Sequence, residues 1–136
     1  RTKLVLRLPK ERVEEAKALT GQTLEIAGHT MEIGKATVRQ LSSLTSLYAR
    51  HVVTEAADQE AQFLESAVAE LQGMGIKFKE VLSGRDSVLA TPRGEVATRS
   101  LLVAGLGMED AIRLQQEGLG PHRKLGCGLF IPHKKV

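Results

Sequence analysis

The sequence predicts an α+β fold, on two observations. Short segments in which apolar and polar residues alternate recur from Lys3 towards the chain end, and that period of two marks half-buried strands. Between them, Phe63, Leu64, Ala67, Val68 and Leu71 form one continuous stripe at helical spacing, the pattern of a helix laid on a sheet. From residue 45 to 132 the order reads strand, helix, strand, strand, helix, strand. This is the split βαβ order of a ferredoxin-like unit.

The elements follow in turn. "TKLVLRL" puts Leu4, Leu6 and Leu8 on one face and Lys3, Val5 and Arg7 on the other, which predicts a strand. Pro9 opens a helix from Lys10 to Leu19, and Gly21 stands where a left-handed cap would end it. "QTLEIAGHTMEIG" reads as a hairpin around Gly28 and His29. In the second series "TSLYARHVVT" is a strand, Asp58 to Leu71 a helix stopped by Gly73 and Gly75, and "IKFKEVL" a strand. "SVLATPRGEVATRSLLVAGL" is a hairpin turning at Pro92, Arg93 and Gly94. Met108 to Glu117 forms a short helix with Ala111, Ile112 and Gln115 towards the sheet, and Cys127 to Ile131 the last strand.

Residues 41–136 thus supply a complete ferredoxin-like domain, βαββαβ, as the C-terminal one of two. Residues 1–40 supply only a strand, a helix and a hairpin, the rear portion of an N-terminal ferredoxin-like domain. The expectation is a pair of tandem units, the first lacking its front, in a chain that starts without methionine.

Composition narrows the function. Apolar residues at 42% and charged residues at 26% are ordinary for a globular protein. A single cysteine excludes an internal disulfide and fits a reducing, cytoplasmic setting. No segment approaches the apolar length of a membrane span, and "RTKLVLRLPK" alternates charge with apolar residues, unlike a signal peptide. The formal net charge is only +3, but acidic residues gather in "TEAADQEAQFLESAVAELQ" while residues 119 to 136 hold Arg123, Lys124, Lys134 and Lys135 and no carboxylate. Such asymmetry suits a nucleic-acid partner. Aromatic content of 3% argues against a row of rings stacking single-stranded bases.

The basic end carries the most unusual stretch, "GLGPHRKLGCGLFIPHK". Gly118, Gly120, Gly126 and Gly128 would let backbone amides approach a phosphate, with Arg123 and Lys124 neutralising its neighbours. The same glycines also fit a helix C-cap at Gly118 and a bulge at Gly126 and Gly128. Arg99, on an alternating strand beside Ser100, either extends this basic track or is a solvated side chain of the outer sheet face. His122, Cys127 and His133 are too few and too irregularly spaced for a zinc site, and Cys127 has no base fixed beside it. Neither a metal nor another cofactor is expected.

The run "TRSLLVAGLGMEDAIRLQQEGLGPHRKLGCGLFIPHK", with "LYARHVV" and "FLESAVAELQGMGIKFKEVLSGR" upstream, resembles the CRISPR-associated RNA-processing endoribonucleases of the RAMP superfamily, MYXAN subtype. The resemblance covers nearly the whole chain. It implies two ferredoxin-like domains, binding to the repeat hairpin of the CRISPR precursor RNA, and metal-independent cleavage that yields mature guide RNA. Other subunits of a CRISPR effector complex are further partners it suggests. Such cleavage uses the adjacent 2′-hydroxyl and needs a base, an acid and a cation. The family's catalytic histidine usually lies on the first helix of the first domain, which is absent here. His122 is then the local candidate, because it lies in the glycine loop beside Arg123 and Lys124, which could hold an RNA phosphate close to it; His51 reads as a hydrogen-bonded core residue, His29 as a turn residue and His133 as an RNA contact or a strand end. Arg99, Gly118, Gly120, His122, Arg123, Lys124, Gly126 and Gly128 form the expected RNA-binding set. Two alternatives remain open: an RNA-hairpin-binding subunit without activity, and a ferredoxin-like sensing or oligomerising module indifferent to RNA.

Overall fold

The computed structural model describes residues 2–134, so Lys135 of the basic terminus lies outside the described residues. The chain divides into two compact units, Arg1–Gln40 and Leu41–Val136.

In the first unit, the 3-10 turn Lys10–Arg12 runs into helix α1, Val13–Lys17, and a hairpin follows from β1, Thr23–Ile26, and β2, His29–Glu32. Gly21 takes φ +85° and donates its N–H to Ile33 at 2.8 Å, which ties the helix exit to the hairpin base. The hairpin turn is Ala27–Gly28, with φ +52° and +79°. Both residues are left-handed, the pair of angles that matches strand twist in a two-residue turn. His29 is therefore not in the turn but opens β2 opposite Ile26, and it is exposed. "TKLVLRL" forms no strand. Alternation sets which face a strand would bury, but a strand exists only when its N–H and C=O groups find a partner, and Val5 stays 83% exposed. The helix is also shorter than its pattern predicted, stopping at Lys17.

The second unit is built from β3, Leu47–Val53, α2, Glu60–Gly73, β4, Glu80–Thr91, β5, Gly94–Ala104, α3, Met108–Glu117, and β6, Ile131–Pro132. Its sheet has the order β4-β5-β3-β6 with every pairing antiparallel. β5 lies between β3 and β4, the two strands joined through α2, so the βαβ is split by a third strand as a ferredoxin-like unit requires. The fold class is α+β.

The core explains why the two helices sit where they do. Leu47, Ala49, Val52, Leu101 and Val103 point from the sheet to one side, where they meet Phe63, Ala67 and Leu71 of α2 and Ala111 and Leu114 of α3. Phe63, Leu71, Leu114 and Phe130 are fully buried, each stabilising by about 1.5–3 kcal/mol. Gln115 is buried too, and its amide bridges to the segment before β3: it accepts from Ser42 N–H at 3.0 Å and donates to Ser42 C=O at 2.6 Å.

Three element expectations change. The EVL end of "IKFKEVL" and "SVLAT" belong to one twelve-residue strand, Glu80–Thr91. Ile76, read as its start, instead folds under α2 with its N–H on Leu71 C=O at 3.0 Å, because its side chain is drawn into the core. The final strand is only Ile131–Pro132, since Cys127 and Gly128 are held in a turn by left-handed glycines. α2 starts at Glu60, two residues later than its stripe suggested. In addition, Ser100 of β5 faces a bulge on both sides. Arg50 and His51 of β3 oppose it, as do Gly84 and Arg85 of β4. A Cβ at Gly84 would meet the Ser100 hydroxyl, which would have to rotate away to make room for it. Bulges of this kind re-aim side chains and cluster near functional surfaces.

Candidate nucleic-acid interface

α3 ends at Gly118, whose φ of +70° and ψ of −171° turn the chain out of the helix while its N–H caps Leu114 C=O at 2.9 Å. The chain then loops through residues 118–128 and returns to the same spot. Leu119 N–H donates to Gly128 C=O at 3.0 Å, and Gly128 N–H donates to the His51 carbonyl of β3 at 2.6 Å. The two ends are so close that a Cβ on Gly118 would lie 2.7 Å from Gly128 O, and one on Gly128 would overlap Leu119 O. The loop is thereby pinned to the sheet at its neck.

At the tip, Arg123–Leu125 make one turn of 3-10 helix between two left-handed residues, His122 with φ +63° and Gly126 with φ +89°. His122 C=O accepts from Leu125 N–H at 3.0 Å and from Cys127 N–H at 3.2 Å, and Gly126 N–H closes the turn on Arg123 C=O at 3.0 Å. His122, Arg123 and Lys124 are all exposed. None of the three makes an ion pair among the described residues. Unneutralised cations on a conformationally fixed tip can accept a polyanion without first breaking a contact.

The glycines act differently from the pattern expected of a phosphate cradle. The N–H groups of Gly118, Gly126 and Gly128 are spent on carbonyls of the chain, and that of Gly120 on the Glu70 carboxylate of α2 at 3.0 Å. They shape the loop. Its free charge is on the side chains. Arg99 is separate from this tip: its guanidinium donates to Ala57 C=O at 2.6 Å and lies 3.5 Å from the Glu60 carboxylate. Glu60 in turn accepts from the Ser83 hydroxyl at 2.6 Å.

His51 is half-buried, with Nδ1 at 3.0 Å from Thr98 Oγ1 and 3.3 Å from Ser87 Oγ. This network locks the strand whose carbonyl holds Gly128. Cys127 is buried, and that burial pushes its thiol pKa up. No group of three or more His, Cys, Asp or Glu residues is arranged around a common point among the described residues. None of their helices is long and apolar enough to cross a membrane.

One cluster was not singled out from the sequence. His133 donates its N–H to Ser46 C=O at 2.9 Å, which sets its ring against Tyr48, with centroids 6.1 Å apart and planes at 45°. Two shallow hollows meet at this ring, one with Lys79 and Lys134 in its wall, the other with Tyr48, Leu82, Ser100 and Leu102. The residues are far apart in sequence and come together only through the β6-β3-β5-β4 order, so no local signal announces them.

A family model described as Cas6 Crispr matches residues 1–135. A protein of Myxococcus xanthus (strain DK1622), the CRISPR-associated endonuclease Cas6, is 34% identical over 127 residues, which are 93% of this chain and 55% of that protein. The chain spans little more than half the length of this curated relative.

Proposed function

The chain belongs to the Cas6 family of CRISPR-associated proteins, and from that premise we propose that it binds the repeat hairpin of CRISPR precursor RNA and takes part in cutting it to guide RNA. The observation that carries the reading is the pinned loop tip, where His122, Arg123 and Lys124 stand exposed and make no ion pair among the described residues. Arg123 and Lys124 neutralise successive phosphates. Gly118 and Gly128 close the loop neck, while Gly120 and Gly126 hold the bends on either side of the tip. Arg99 fixes the segment before α2 and so supports the sheet beneath the loop.

The reaction we propose is attack of the 2′-hydroxyl on the adjacent phosphorus without a metal. It needs a group to take the hydroxyl proton, a group to protonate the leaving 5′-oxygen and positive charge on the intermediate. His122 can serve one proton transfer, since an imidazole nitrogen can accept or donate a proton, and the neighbouring cations supply the charge. His122 accounts for one of the two proton transfers, and the other falls to a different group. Retention of the cut RNA, as a subunit of a larger effector complex, follows if the phosphate contacts outlast cleavage. A cytoplasmic setting agrees with the single thiol.

The test is a binding and single-turnover cleavage experiment on labelled repeat hairpin, with and without chelator. Arg123→Ala and Lys124→Ala should each lower the slope of log affinity against log salt by about one. His122→Ala should slow any cleavage about a hundredfold while leaving affinity nearly intact. Salt-independent or absent hairpin binding overturns the reading.

A further inference from the structure

We infer that the Tyr48–His133 edge of the second unit is a binding site for an unpaired nucleotide of RNA, with its phosphate held by Lys79 and Lys134 and its base set against the two rings. The inference rests on the RNA-binding reading above and gives that reading a second contact, outside the loop.

Three features meet here. The first is cationic. Lys79, Lys134 and His133 line the hollow at the end of the sheet, all exposed, against the single carboxylate of Glu80, and neither lysine is ion-paired among the described residues. Lys79 is held in place by its stem, which crosses Gly105 so closely that a Cβ there would lie 2.6 Å from Lys79 Cγ. The second is a stacking surface. His133 is shared by the two hollows and Tyr48, against its ring, lines the second, where Leu82 and Leu102 extend the apolar floor. The third is an unpaired hydroxyl. Ser100 is 5% exposed and lines the second hollow, yet its hydroxyl makes no hydrogen bond with any described residue.

The Ser100 hydroxyl is open to the hollow, since the buried side-chain polar atom without a partner among the described residues is Arg99 Nε and not Ser100 Oγ. The paired bulges on β3 and β4 leave it facing the hollow rather than satisfying it. Phosphate, ring and hydroxyl then follow one another in the order of a nucleotide: a cation pair for the backbone, aromatic faces for the base, and a hydroxyl able to donate or accept at the base edge. A duplex cannot use this arrangement because its bases are stacked on one another. The ligand is therefore an unpaired stretch, and the repeat RNA on either side of a hairpin supplies one.

The experiment measures the affinity of the chain for three labelled RNAs: a bare repeat hairpin, the same hairpin with a single-stranded flank, and the flank alone. The expected result is tighter binding of the flanked hairpin than of the bare one. Tyr48→Ala should remove about a tenfold share of that affinity without changing bare-hairpin binding. Lys134→Ala should lower the salt slope for the flanked RNA by about one. Tyr48→Phe keeps the ring and should bind like the parent, and Ser100→Ala, which removes one exposed-face atom and keeps the fold, should lose about threefold. Equal affinity for flanked and bare hairpins, or equal losses on both in Tyr48→Ala, overturns the nucleotide site while leaving the loop reading intact. Binding of the flank but not of either hairpin through the loop overturns the loop reading and sustains the site. Absence of binding to all three RNAs overturns both.

Discussion

A glycine matters in this protein according to what its missing side chain would strike. Gly128 has a buried backbone, φ of +67° and a neighbour, Leu119 O, already where a Cβ would be. Gly126 has an equally left-handed φ of +89° but open space around it. Gly128→Ala must therefore break the neck, including the N–H bond to His51, at a cost of about 3 kcal/mol. Gly126→Ala costs only its conformational strain, about 1 kcal/mol. Chemical denaturation of the two variants should reproduce that order, and equal losses would mean the neck is not pinned. Cys127 provides a second residue-scale expectation. Burial raises its thiol pKa, so above the ordinary cysteine value, about 8.5, the unfolded chain has lost a proton that the folded chain keeps. The unfolded state then binds fewer protons and stability falls as pH rises through that window. Cys127→Ala should flatten the alkaline decline, and the native thiol should react with maleimide far more slowly than the denatured one.

Elements were legible in proportion to how much of their reason is local. α3 begins and ends where its pattern said, because Gly107 and Gly118 bracket it and its apolar spacing is helical. α2 was legible from its stripe, and the β4–β5 turn from its Pro-Arg-Gly sequence. The strand expected at residues 3 to 8 and the one from Cys127 failed for a different cause. Alternation around Leu4, Leu6 and Leu8 says nothing about whether a neighbouring strand exists, and the glycines at 126 and 128 impose φ values that no ladder accepts. The candidate site divides the same way: the loop cations could be read from one stretch of sequence, whereas Ser100, Tyr48, Lys79 and His133 meet only after the strands are ordered. Gln115 belongs to this second kind. Its periodicity placed it on the sheet side of α3, but its amide is instead the clasp for Ser42. Gln115→Leu keeps the volume and leaves the Ser42 N–H and C=O unpaired, so it should cost about 2–3 kcal/mol and expose those groups to exchange. Denaturant unfolding with amide exchange of residues 41–45 measures both, and full retention of protection would show that the clasp contributes nothing.

At the scale of the whole molecule, the two units differ in what holds them. Every residue of the buried apolar core, from Leu47 to Phe130, lies in Leu41–Val136. The first unit has no buried residue in α1 and none in its hairpin, and Leu4, Leu6 and Leu8 are 40%, 50% and 37% exposed. Its local order rests on the Gly21–Ile33 hydrogen bond, a short helix and a two-residue turn, and two strands with one short helix are marginal in water. Residues 41–136 expressed alone should therefore unfold cooperatively, with a stability of about 5 kcal/mol or more, whereas residues 1–40 alone should give the spectrum of an unfolded chain. The loop, its neck and the sheet that anchors it are all within the second unit, so the isolated fragment should also keep the salt slope of hairpin binding seen in the full chain. Loss of cooperative unfolding in the fragment would mean that the first unit contributes to the core after all. A stable fragment with a diminished salt slope would place part of the RNA backbone contact on residues 1–40, where Lys3, Lys10, Lys35 and Arg39 are the first basic side chains to test, being free of ion pairs among the described residues.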